Sequence, residues 1–338
     1  MSRRVLAFAA IGCFALSPAS AHDVSGVLSA GSAAWTYDPW LLAPLYLVGI
    51  CFYVGTLRLW RAAGFGRGIG TGQAAAFWCG WVILALVVTS PLHWLGEHLF
   101  AAHMTEHELL MVVAAPLLAF GRVSGAIPWS FPRKLRPWLG RAVGSMPVAG
   151  PWRMLRKPLT ATALQGAALW LWHAPVLYQL ALTNEAMHRL QHLSFFLAAL
   201  LFWWVLLHGR GGVHGERTRG GIAVGCLFIT VLHSGLLGAL LTLSSHVWYP
   251  QQAGFAADFG LTPIEDQQLA GLVMWIPMGG LYTCAALVFA YRWMFDRSHS
   301  RALRQSDMAS AFPDLASTSR AVGAIGLSEV PGFPSGTL

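Results

Sequence analysis

Charge is what this sequence lacks. Only 11% of its 338 residues are charged, 14 acidic against 22 basic, while 56% are hydrophobic and the mean hydropathy is +0.55. Soluble domains carry charge on about a quarter of their residues, so this composition excludes an ordinary soluble fold and indicates a membrane protein. The net charge of +8 does not indicate a nucleic-acid surface, because the basic residues are almost all arginine and lie in short segments between apolar runs, a topological pattern. Cysteine is sparse too. Cys13, Cys51, Cys79, Cys226 and Cys284 stand singly with no C-x-x-C pair, which removes both a disulfide framework and a thiolate metal site and leaves the last four as small apolar packing residues. No internal repeat is evident and no segment alternates with period two, which argues against a β-barrel.

What is present is a series of long apolar runs. Arg3 and Arg4 precede a short apolar stretch at 5–16 and an A-x-A motif at Ala19, Ser20 and Ala21; this reads as a secretory signal over 1–21, with a mature start at His22 and a periplasmic segment over 22–39. An uncleaved anchor would leave the later topology unchanged. Runs near 40–60, 73–92, 97–120, 159–181, 186–207, 221–244 and 267–294 are each about long enough to cross the hydrocarbon core. The expectation is therefore an all-α polytopic membrane protein, a seven-transmembrane-helix bundle over 40–296. Arginine clusters follow the first, third, fifth and seventh runs, while the alternate connections hold no Lys or Arg except Arg189. The positive-inside rule then puts the N-terminus outside and the C-terminus inside. Within that frame 121–158 is a cytoplasmic loop lying along the inner surface, and 297–338, rich in Ser, Ala, Gly and Pro, a disordered cytoplasmic tail.

Histidine breaks the apolar pattern. His103 and His107 are spaced i, i+4 in the third run, as are His188 and His192 in the fifth, so each pair projects from one helix face and can chelate one ion. Another turn along the third run puts Met111 on nearly the same stripe, with Met104 beside it; Asp266 opens the seventh run ahead of Met274 and Met278. Imidazole with thioether suits copper, above all soft Cu(I). Ionisable groups within spans usually mark a site or a pathway. Taken alone, His173 and His233 read as histidines hydrogen-bonded to a neighbouring helix, and Met274 and Met278 as packing residues. Glu106 and Glu108 read either as acceptors that orient imidazoles or as groups at the water interface.

Four stretches, "HMTEHELLMVVAAPLLAFG", "LWLWHAPVLYQLAL", "MHRLQHLSFFLAALLFWW" and "PIEDQQLAGLVMWIPMGGLYT", together resemble the CtaG-like, caa3-type cytochrome c oxidase assembly factors over about residues 35–295. The resemblance implies a multi-pass protein of the bacterial inner membrane, not an enzyme, whose partners are haem-copper oxidase subunits and membrane lipid, with no nucleic acid. It implies copper delivery or insertion, with His103, His107, His173, His188, His192, Asp266 and Met274 as metal positions. Two other readings stay open. A copper or proton-coupled transporter would need a polar path inward, yet the inner halves of the runs are nearly devoid of ionisable groups. A b-type haem protein would need axial ligands from opposite sides of one iron, which pairs on single helices do not offer.

Overall fold

The computed structural model describes residues 35, 37–137, 141, 146–209 and 215–311. The expected signal over 1–21 and nearly all of the segment over 22–39 lie outside the described residues, as does 312–338. Among the described residues every regular element is a helix and there is no strand, in agreement with the all-α expectation.

Local chemistry sets where the helices begin and end. Helix α1, Pro39–Ala63, starts at Asp38, whose carboxylate accepts from the Trp40 amide at 2.9 Å with Pro39 in the first position, and it stops at Gly64, where φ is +98°. Helix α2, Thr71–Thr89, hands over at Ser90, which caps α3, Pro91–His98, through the Leu92 amide at 3.3 Å. Proline in the first turn wastes no hydrogen bond, since that amide has no intrahelical partner.

Helix α4, Phe100–Glu108, continues through a π-helical segment, Leu109–Ala114, into α5, Ala115–Phe120. The π segment has an identifiable cause. Pro116 has no amide hydrogen and its ring would strike the carbonyl four residues back, so the preceding turn widens and the Ala115 amide bonds to the Leu110 carbonyl. The Met111 carbonyl is thereby released, and the Trp203 indole nitrogen donates to it at 3.0 Å. At Arg122, φ is +54° and the chain bends by 59° into α6, Val123–Ser130.

The remaining helices are α7, Met146–Leu155, α8, Pro158–Trp172, α9, Pro175–Thr183, α10, Glu185–His208, α11, Gly215–Leu243, and, after a 3-10 segment at Gln252–Phe259, α12, Pro263–Ala311. Helices α11 and α12 pack along each other as a hairpin. A Cβ on Gly271 would lie 2.6 Å from the Gly238 carbonyl oxygen and 2.4 Å from the Thr242 hydroxyl, so two small residues set how closely the backbones approach.

Among the described residues five helices are long and apolar enough to cross a membrane, at Pro39–Ala63, Thr71–Thr89, Glu185–His208, Gly220–Leu243 and Pro263–Phe295. The bent pair Phe100–Phe120 and Val123–Ser130 makes six if counted as one span. The fourth expected span, 159–181, is interrupted: α8 has 15 residues, about 22 Å at 1.5 Å per residue against roughly 30 Å of hydrocarbon. Ala174 precedes Pro175, a position that disfavours helical backbone, and the chain breaks at His173. The 121–158 loop contains α6 and α7. At the other end α12 runs to Ala311, past the expected boundary at 296, through residues 297–311 that contain neither Gly nor Pro.

Many apolar side chains face outward around an apolar core, while the polar groups of the spans turn inward. Leu47, Ile50 and Tyr53 of α1, Phe228 and Leu232 of α11, and Ile276 and Leu287 of α12 are exposed, as a lipid-facing surface requires. Helix α4 is the opposite, buried at every position except Thr105.

Candidate metal centre

Helix α4 owes its position to a cap supplied by another helix. Nothing in its own sequence caps its N-terminus: Leu99 is extended and offers no side-chain acceptor. Asp266, in the first turn of α12, fills that role. Its two carboxylate oxygens accept from the Phe100 and Ala101 amides at 2.8 and 2.9 Å. A carboxylate at a helix N-terminus is doubly favourable, through the orphan amides and through the helix dipole. Asp266 therefore locks α4 to α12 instead of pointing its oxygens at the histidines.

With α4 fixed, His103 and His107 stack along one face, their rings 4.3 Å apart. Helix α10 begins at Asn184, whose side chain accepts from the Met187 amide at 3.1 Å, and it presents His188 and His192 with rings 4.5 Å apart. The two faces meet. His192 lies 4.9 Å from His107 and 5.7 Å from His103 by ring centroid, and His188 lies 5.6 Å from His103. Ligand nitrogens of His103, His107 and His192 all fall within 4.8 Å of one another.

Burial gives the cluster its chemical meaning. His103, His107 and His192 are 0%, 2% and 8% exposed, and both ring nitrogens of the first two and Nε2 of the third have no hydrogen-bond partner. An unmet buried polar group costs about 1–3 kcal/mol. Several of them converging on one point form a donor set with nothing to donate to, and neutral imidazole nitrogens suit Cu, Zn, Fe or Ni.

His93 joins this group from α3, with ring centroids 5.6 Å from His188 and 5.9 Å from His192. Its Nδ1 lies 2.9 Å from Glu106 Oε1. Burial opposes a charge on this imidazole, but the hydrogen bond and the negative charge of Glu106 outweigh it and hold the His93 pKa above its ordinary value. The second Glu106 oxygen lies 3.9 Å from His103 Nδ1, beyond hydrogen-bond reach, so the carboxylate accepts from His93 and stands beside His103 without bonding it. Gly96 permits this. A Cβ there would lie 2.4 Å from Glu106 Oε2. Glu106 is fully buried, so the water-interface reading fails for it. Glu108 is buried as well, with neither carboxylate oxygen hydrogen-bonded.

The cluster is roofed. Tyr178 of α9 packs edge-on to His103 at 5.6 Å and against Tyr249 at 4.2 Å, and its hydroxyl bonds Gln252. Gln252 in turn donates to the Gly96 carbonyl at 2.8 Å. Helix α9 and the 3-10 segment cover this end of the bundle, and half-buried His188 forms the cluster's least enclosed edge. Arg189, the exception to the arginine pattern, is ion-paired to Asp38 at 2.9 Å and to Glu185.

Of the seven positions, then, the structure brings together His103, His107, His188 and His192. His173 stands at the break between α8 and α9, where its Nδ1 bonds the Leu169 carbonyl at 2.7 Å and its Nε2 faces Met104 Sδ at 3.3 Å. Met274 packs in the apolar core with Met111 and Met278. His233 lies against Gly166 with neither ring nitrogen hydrogen-bonded. His93 is the member that helical spacing does not reveal, since it and its partner Glu106 lie on different helices.

Comparison with known proteins adds the family. An uncharacterized protein of Mycobacterium leprae (strain TN) is 25% identical over 255 residues, covering 71% of this chain. The chain spans about a third of that relative's length, 36% of it. No solved structure matches. The family model described as cytochrome c oxidase caa3 assembly factor (Caa3_CtaG) matches residues 50–296, a stretch that contains every helix contributing to the histidine cluster, and the chain belongs to that family.

Proposed function

We propose that this assembly factor binds copper at His103, His107 and His192 and passes it to an oxidase subunit whose copper centre is being built. The observation that carries the reading is the convergence of three buried imidazoles whose facing nitrogens are otherwise unsatisfied. Three nitrogen donors leave a coordination position open, and an incoming ligand from the acceptor protein can occupy it before the histidines let go. Delivery by ligand exchange requires no bond-making turnover, so the role is that of a carrier and not of an enzyme. His188, at the least enclosed edge, is the first donor an arriving ion meets, and the Glu106 carboxylate holds His93 beside the cluster. In this reading the chain sits in the bacterial inner membrane with the histidine end outside and the arginine-rich end inside.

Haem is a poorer occupant. The His107 and His192 rings lie 4.9 Å apart by centroid, which leaves no slot for a porphyrin plane between them. The test is to purify the chain in detergent, determine bound metal by mass spectrometry and record the optical spectrum with and without dithionite. Copper bound by the wild type and diminished on His103→Ala with His192→Ala is the expected result. A Soret band, or no metal under copper-replete conditions, would sink the proposal. A deletion strain with normal haem-copper oxidase activity would count against the delivery role.

A further inference from the structure

His173 is fixed by three hydrogen bonds. Its amide bonds the Leu169 carbonyl at 3.3 Å, its own carbonyl accepts from the Tyr249 hydroxyl at 2.7 Å, and its Nδ1 lies 2.7 Å from the same Leu169 carbonyl. A carbonyl can only accept, so Nδ1 carries the hydrogen and Nε2 of the neutral ring carries a lone pair. That lone pair faces Met104 Sδ at 3.3 Å. A thioether has no hydrogen to give, so two electron-pair donors confront each other in a buried place. An imidazolium would relieve the conflict only by burying a charge that has no ion pair among the described residues, which is costly.

A metal ion resolves it. With metal–nitrogen and metal–sulfur bonds of about 2.0 and 2.3 Å, two ligands at a tetrahedral angle lie roughly 3.5 Å apart, close to the spacing seen. A ligating histidine also typically donates its other ring hydrogen to a backbone carbonyl, as His173 does. Consecutive positions on a helix point about 100° apart, so α4 turns His103 toward the triad and Met104 toward His173. The Phe195 ring of α10 contacts both neighbours, 4.6 Å from His107 and 6.2 Å from His173 by centroid.

We infer that His173 Nε2 and Met104 Sδ form a second metal site, beside the imidazole triad and selective for a soft monovalent ion because one donor is a thioether. The class of ion follows from these donors alone; its identity as Cu(I) rests on the copper reading proposed above. The triad accepts borderline ions as well, whereas the thioether site does not.

The full chain in detergent is loaded with Cu(I) under anaerobic conditions, its copper counted, and its X-ray absorption fine structure recorded; Zn(II) serves as the borderline probe. The expected result is about two Cu(I) per chain, with a sulfur scatterer near 2.3 Å, and Zn(II) at the triad only. Met104→Leu, a near-isosteric change, removes the sulfur scatterer and one copper while Zn(II) binding stays. His103→Ala with His107→Ala does the reverse. Absence of sulfur from wild-type spectra, or its persistence in Met104→Leu, overturns the second site and leaves the triad standing. A single copper lost in both variants overturns it too, as one mixed site. If the sulfur-ligated copper survives in the absence of any nitrogen-only site, the triad reading falls and this inference stands.

Discussion

Helices α4 and α12 invert the ordinary relation between hydropathy and burial. Helix α4 holds His103, Glu106, His107 and Glu108 within two turns and buries all four, whereas α12 leaves Leu272, Ile276, Leu281 and Leu287 exposed. In a bilayer the apolar face has a solvent that accepts it, and polar groups must find partners inside the protein. Burial in this molecule therefore tracks chemistry that lipid cannot serve. The comparison can be broken at the α12 residue that caps α4. Asp266→Ala removes the cap that α12 supplies to α4 and leaves two buried amides unmet, at about 1–3 kcal/mol each. It has the largest expected effect, a loss of several kcal/mol of stability seen as a strongly lowered thermal midpoint in detergent. Asp266→Asn, which keeps one acceptor oxygen, loses less. Metal content per folded molecule stays unchanged in both; a folded Asp266→Asn protein without metal would instead make Asp266 a ligand.

The second test separates histidines within the cluster. His107→Ala removes a member of the buried triad, and the expected weakening of copper binding exceeds a hundredfold, measured by competition with a chelator. His188→Ala removes a half-buried edge donor, and about tenfold is expected, the lower end for groups outside the immediate ligand set. Equal losses in the two variants would mean that the four imidazoles act as one ligand set. Glu106→Gln comes between them, at about 10–100-fold, because an amide removes the negative charge that holds His93 and faces His103. A metal affinity unchanged in Glu106→Gln would reduce the His93 and Glu106 pair to a purely structural contact.

How much of this was legible in the sequence follows from the range of each interaction. The i, i+4 pairs were readable because helical geometry alone puts His103 beside His107 and His188 beside His192; that the two pairs face each other across helices was implied only by the family resemblance. His93 escaped because Ser90 and Pro91 start a separate helix that turns it back into the bundle, where it meets Glu106. Asp266 carried the family pattern without its role, since it caps a helix 165 residues away in the chain and no local signature announces a cap supplied from such a distance. The break at His173 was written in Ala174 and Pro175, but an apolar run of spanning length outweighed it in the reading. The pairing of His173 with Met104 depends on where the broken helix ends, and no spacing rule gives that.

The smallest effect is expected on the other side of the comparison. Ile276 is 65% exposed on α12, two residues and so about 200° around the helix from Met274, which is buried. If exposure here means contact with lipid, Ile276→Ala exchanges one lipid-facing apolar group for a smaller one and opens no cavity in the protein, so stability should change by no more than about 0.5 kcal/mol. Met274→Ala leaves a void in the core and should cost about 2–5 kcal/mol. The two thermal midpoints in the same detergent measure the difference directly. Comparable losses would mean that Ile276 is covered in the folded protein by another copy or by a partner, and that the outer face of α12 is an interface instead of a lipid surface.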